Sequence, residues 1–133
     1  MKREIEVIVT YLDNYGAYCD LLPGCVATHS TLSGVKELFN DAVALHLKGI
    51  ADDNEQIPEE FSSEYILTFK LNTQALLKHY KGIVSLSSLS KVAGINMKQL
   101  SHYASGIKTP RPQQREKIIH ALHQIGQDFV SVH

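Results

Sequence analysis

Two hydrophobic rhythms divide the chain. From Glu4 to Leu12 apolar and polar residues alternate, and Ile5, Val7, Val9 and Tyr11 share one face, which predicts a strand. Asp13-Asn14-Tyr15-Gly16 is a turn signal, and 17–21 suits the returning strand of a hairpin. Pro23-Gly24 breaks that ladder, and 25–28 reads as a third short strand. Thr31 is suited to cap a helix over 31–50, in which Val35, Leu38, Phe39, Ala42 and Leu45 recur at helical spacing. Gly34 stands where a capping box would place Glu or Gln, and should cost the helix about 1 kcal/mol relative to alanine. Residues 52–63 are polar and acidic around Pro58 and predict a loop. Tyr65, Leu67, Phe69 and Leu71 then alternate with Ile66, Thr68 and Lys70 as a fourth strand. The expectation is a small α+β layer in which one helix buries one sheet face.

Beyond residue 71 the period changes to three and four. Asn72 or Thr73 begins a helix with Leu76, Leu77 and Tyr80 on its apolar side, ended by Gly82. Ser85 caps a short helix bearing Leu86, Leu89, Val92 and Ala93. Gly94 follows where a sharp inter-helix turn needs positive φ, and Ile95 plugs the space between two helices. Asn96 caps the next helix, with Leu100 and Tyr103 inward and Gly106 at its end. A last helix over 112–129 carries Ile118, Leu122, Ile125 and Phe129 on one stripe.

Charge sharpens the boundary. The net charge is only −1, but residues 1–70 hold five basic side chains against twelve acidic ones, and residues 71–133 hold eight against two. A basic half is attracted to nucleic acid and an acidic half repelled by it. Nothing approaches the roughly 20 apolar residues of a membrane span, and the N-terminus lacks a signal-peptide pattern, so a cytoplasmic protein is expected. In that reducing compartment Cys19 and Cys25, six apart with Pro23-Gly24 between, are expected as free thiols.

The segment 85–110 resembles the Cro/lambda-repressor helix-turn-helix family. The matching residues are Leu89, Ala93, Gly94, Ile95, Leu100, Gly106, Lys108 and Pro110, followed by an amphipathic helix. The family often has an acidic residue where Ala104-Ser105 stand. In such a fold the recognition helix enters the major groove N-terminal end first. That end carries Asn96, Met97, Lys98 and Gln99, with His102 one turn on, as the base-facing set. Gln can pair with adenine, and Lys can donate to guanine. Lys108 and Arg111, with Lys81 and Lys91 adding to the field, form the phosphate-facing set.

Residues 16–50 resemble the HicB antitoxin family through Ala17-Tyr18, Asp20-x-Leu22-Pro23-Gly24-Cys25, Thr31-Leu32 and His46-Leu47-x-Gly49, with Ile57-Pro58 also fitting. His29-Ser30 and Ser33-Gly34-Val35 depart from the family pattern. The resemblance implies a truncated ribonuclease-H-like βββαβ domain over 1–71, followed by an all-α lambda-repressor-like helix-turn-helix domain over 72–133. It also implies a function: neutralising a HicA-like mRNA-cleaving toxin while repressing the operon by binding operator DNA as a homodimer or higher oligomer. Asp52, Asp53, Glu55, Glu59, Glu60 and Glu64 are the acidic residues suited to complement a basic toxin.

No enzyme is expected and no cofactor is implied. His120 and His123 lie three apart without accompanying Cys or carboxylate ligands. Asp13 and Asp20 do not make the convergent carboxylate set that two-metal nuclease chemistry needs. Two alternatives remain at this point. One is a stand-alone regulator using the HicB-like domain for oligomerisation. The other is a protein-binding adaptor whose helix-turn-helix no longer reads DNA.

Overall fold

The computed structural model describes residues 2–133 and has a mixed α+β architecture. The chain divides into two compact units, Met1–Asn72 and Thr73–His133.

In the first unit, strands β1 (Arg3–Leu12), β2 (Asn14–Tyr18), β3 (Val26–His29) and β4 (Tyr65–Leu71) form one sheet in the order β3-β2-β1-β4. β1 is antiparallel to β2 and parallel to β4, so the first and last strands of the unit lie side by side. Alternation places Ile5, Val7 and Val9 on the face that is buried. Helix α1 (Leu32–Asp52) covers this face with Val35, Phe39 and Val43. The Phe39 ring meets Phe69 edge-on at 6.3 Å, and the Lys36 ammonium sits 5.8 Å from the centre of the Phe69 ring.

Three details differ from the sequence reading. The hairpin turn is shorter than four residues. Asp13 alone takes a left-handed φ of 64°, and Asn14, Tyr15 and Gly16 already belong to β2. The cause is a cross-strand pair: Tyr15 lies opposite Tyr11, and their rings meet edge-on at 5.0 Å. The buried stripe of α1 is also rotated from the one expected. Leu38 and Leu45 face solvent, because the sheet is reached by residues 35, 39 and 43. Finally, α1 runs on to Asp52, and the acidic segment holds a one-turn 3-10 helix at Glu59–Phe61. Burial of Phe61 against the Tyr65 ring, 4.9 Å away, pins that segment to the start of β4.

The start of α1 explains its unusual glycine. Thr31 accepts from the Gly34 N–H at 3.0 Å, the expected cap. His29 reaches the same turn, its Nδ1 accepting from the Thr31 N–H at 3.0 Å and lying 3.1 Å from the Thr31 hydroxyl. The imidazole occupies the space a side chain at position 34 would need, so a β-carbon there would collide with the ring. Gly34 makes room for a second cap.

The second unit contains helices α2 (Thr73–Tyr80), α3 (Leu86–Ala93), α4 (Met97–Ser105) and α5 (Pro112–Val130). They close on a core of Leu77, Leu89, Ile95, Leu100, Tyr103, Ile118 and Ala121. α2 ends at Tyr80, and Gly82 is not left-handed, so it is a turn residue and not a glycine cap. Phe129, expected on the inward stripe of α5, is 60% exposed, because the inward face of that helix is set by Ile118 and Ala121. Arg115 on α5 donates to the hydroxyl of buried Thr73 at 2.9 Å and so ties α5 to the first residue of α2.

Candidate nucleic-acid interface

The junction of α3 and α4 is built from local rules. The Ser85 hydroxyl caps α3 by accepting from the Ser88 N–H at 3.1 Å. Gly94 closes the helix at φ 68°, ψ 32°, a conformation that costs other L-residues roughly 1–2 kcal/mol. Ser90 stitches the corner: its carbonyl accepts from the Gly94 N–H at 2.9 Å and the Ile95 N–H at 3.2 Å. Its hydroxyl donates to the Ile95 carbonyl at 2.5 Å. Ile95 then drops into the core, and Asn96 starts α4 with its Oδ1 accepting from the Lys98 N–H at 2.8 Å and the Gln99 N–H at 3.4 Å. The result is two short helices at a fixed angle, the second anchored by buried Leu100 and Tyr103.

The outward side of α4 presents exposed Met97, Lys98 and Ser101, with His102 half-buried in the last turn. Two residues of the expected base-facing set have prior engagements. The Asn96 side-chain oxygen is committed to the cap. Gln99 is half-buried, and its Nε2 donates to the Tyr103 hydroxyl at 2.8 Å. That leaves Lys98, beside Met97, as the exposed cation at the helix tip, with Gln99 held in one orientation by the tyrosine beneath it.

Next to this tip the chain forms a polar basin lined by Gln99, Tyr103, Lys108, Thr109, Arg111, Gln113, Gln114 and Lys117. Gly106 ends α4 at φ 82°, and the Lys108 N–H returns to the His102 carbonyl at 3.3 Å, folding the basic loop against the last turn of α4. Arg111 is the N-cap of α5 and uses no side-chain atom for capping, so its guanidinium stays in solvent. Pro112 follows at the first helical position, where its missing N–H costs nothing. The basin therefore unites three cations, Lys108, Arg111 and Lys117, with the positive end of a 19-residue helix.

The structure brings Gln99, Lys108 and Arg111 of the expected set together in this basin, while Lys81 and Lys91, both exposed, do not line it. Lys117, Gln113 and Gln114 were missed from sequence. Their signal was their position in the first turns of an amphipathic helix straight after the basic loop. Arg115, equally basic, is turned inward instead, and burial pulls its guanidinium below the ordinary arginine value.

In the first unit, Asp52 ends α1, Asp53 is its C-cap, Glu55 lies in the following loop, Glu59 and Glu60 sit in the 3-10 turn, and Glu64 precedes β4. All are exposed except half-buried Glu60. Two carboxylates at a helix C-terminus oppose the helix dipole, and no basic residue lies in that last turn, so this placement does not serve the stability of α1. Among the described residues no group of three or more His, Cys, Asp or Glu side chains is placed to hold a metal ion. Among the same residues no helix is long and apolar enough to cross a membrane. No protein-family model matches the chain, and no curated protein matches it.

Proposed function

We propose that this chain is a DNA-binding antitoxin of the HicB type: a repressor whose basic unit reads operator DNA and whose acidic unit neutralises a basic, RNA-cleaving toxin. The observation that carries the DNA half is the glycine-hinged pair α3–α4, with a capped polar tip beside a basin of three cations at the start of α5. A helix that projects Lys98 beyond a buried Leu100–Tyr103 anchor fits major-groove entry, and the basin fits backbone phosphates. The βββαβ order and the mixed sheet support a truncated ribonuclease-H-like acidic unit, and the four helices of the basic unit support a lambda-repressor-like one. The antitoxin half rests on the HicB resemblance and on the acidic segment held in place by Phe61. No metal or cofactor takes part, and the chain acts by binding.

Titration of the full chain against duplexes covering its own promoter region, over a series of salt concentrations, tests the DNA half. Binding should weaken steeply with salt, because each phosphate contact releases condensed counterions. Lys98→Ala should cost about 1–3 kcal/mol at the preferred site and relax base preference there. Lys108→Ala should weaken every sequence alike and flatten the salt slope. Negligible, salt-insensitive binding would sink the DNA reading and leave the adaptor. Co-expression with the product of the neighbouring gene tests the other half. Failure to co-purify a small basic partner would leave a stand-alone regulator. A captured partner whose affinity ignores charge reversal at Asp52, Asp53 and Glu55 would remove the acidic segment from the interface.

A further inference from the structure

Given the DNA reading proposed above, on which this rests, we infer that Tyr103 is a positioning residue that turns Gln99 from a reader of bases into a ligand for one DNA phosphate. Successive residues of an α-helix turn by about 100°. Lys98, Ser101 and His102 therefore share the outward arc of α4, and Leu100 and Tyr103 the buried one. Gln99 falls on the flank between them, about 40° from Tyr103 and about 100° from Lys98. That flank borders the basin, which Gln99 and Tyr103 line together with Lys108, Arg111 and Lys117. Gln99 is half-buried there, in the company of cations.

A bidentate pair with adenine needs the amide oxygen and nitrogen side by side at the base edge. Gln99 does not offer them freely. Its Nε2 donates to the Tyr103 hydroxyl at 2.8 Å, and that phenol belongs to a side chain only 4% exposed. The amide is thereby tied back toward the core. Donor counting shows what remains. A glutamine amide has two N–H groups, and a phenol has one O–H. One N–H is spent on the phenol oxygen. The other N–H and the phenol's own proton are left, and the polar space that both residues line is the basin. Two neutral donors beside three cations suit an anionic oxygen, and glutamine and tyrosine both serve as phosphate ligands in protein–DNA interfaces. Donors of this kind hold the register of α4 on the duplex, while base reading stays with the outward arc around Lys98.

The test is competition binding of the full chain to a duplex spanning its own promoter region and to a random-sequence duplex of equal length. Tyr103→Phe and Gln99→Met should each weaken both duplexes by the same factor, about three- to ten-fold. Neither should change base preference when the promoter duplex is varied one base pair at a time. Both should keep the wild-type salt slope, because a neutral contact releases no counterion. A methylphosphonate scan, which removes the charge of one backbone phosphate at a time, gives a readout that a merely structural role would not move. At one phosphate the substitution should cost both variants less than it costs the wild type, the coupling expected of groups in contact. Gln99→Met changes only a half-buried side chain, so it keeps the test decisive where Tyr103→Phe loosens the core.

A wild type that binds no duplex removes the DNA reading, and this assignment with it. Where the wild type binds, the assignment alone falls to any of three results. Gln99→Met relaxes preference at a base pair, or both variants keep wild-type affinity for both duplexes, or every methylphosphonate costs all three proteins equally.

Discussion

The acidic unit covers one face of its sheet and leaves the other open, whereas the basic unit wraps a core between four helices. On the open sheet face Tyr18, Val26 and Ile66 lie in solvent among Glu4, Glu6 and Lys70, while Ile8, Thr10 and Gly16 are half-buried. A sheet tolerates this because its backbone is satisfied within the ladder, and one covered face suffices to hold it. The basic unit has no such latitude. Its α2, α3 and α4 are only 8, 8 and 9 residues long, too short to persist alone in water, so each depends on the shared core. A fault in that core should therefore spread through the whole unit, whereas a fault on the open sheet face should stay local.

The largest expected effect breaks the comparison at its centre. Leu100 is fully buried between the helices, and Leu100→Ala should cost about 2–5 kcal/mol. Ile66→Ala on the open face should cost under about 1 kcal/mol, within the range of ordinary surface changes. Urea unfolding of both variants decides it. Equal losses would mean that the sheet face is covered after all.

A sharper contrast lies within α1. Gly34→Ala should destabilise, because the new methyl displaces the His29 ring from its cap, even though alanine is the better helix former. Gly49→Ala in the same helix meets nothing and should stabilise by about 0.5–1 kcal/mol. His29→Ala combined with Gly34→Ala should recover part of the loss. Stabilisation by both single substitutions would show that the imidazole does not hold this position.

The smallest effect concerns pH. Burial, with Cys19 nearby, pushes the Cys25 thiol up from its ordinary value, and burial does the same to the Tyr15 hydroxyl. Both groups prefer to stay neutral in the fold. Their contribution is complete below the unfolded-state values and is lost as pH rises through the higher folded-state values. The acidic unit should lose stability above about pH 9, and Cys25→Ala should flatten part of that slope in a set of unfolding curves. An unchanged slope would assign the alkaline loss elsewhere.

Local chemistry was the part legible beforehand. Gly94, Gly106, Ser85, Asn96 and Thr31 act through their own backbone and the next turn, so their roles can be read from neighbours in sequence. What escaped depends on residues far apart in the chain or on the exact rotation of a helix. The Tyr11–Tyr15 pair drew Asn14 into β2 against a strong turn signal. Leu38 and Phe129 fit a helical stripe as well as Val43 and Ala121 do, and only the facing elements decide which side is inward. At the candidate interface, the type and order of the basic residues were readable. Nothing in the string distinguished Arg115, which faces Thr73, from Lys117, which faces the basin.

The pairing of β1 with β4 sets an order of events during synthesis. β1 is made before its parallel neighbour, which is encoded some sixty residues later, after a crossover through α1. Until residue 71 emerges, a nascent chain carries Ile5, Val7 and Val9 along a bare edge, the kind of surface that recruits strands from other chains. Fragments that end before residue 71 would keep β1 as an open edge and be prone to clump, and only a longer chain pairs β1 on both sides and moves the edge out to β4.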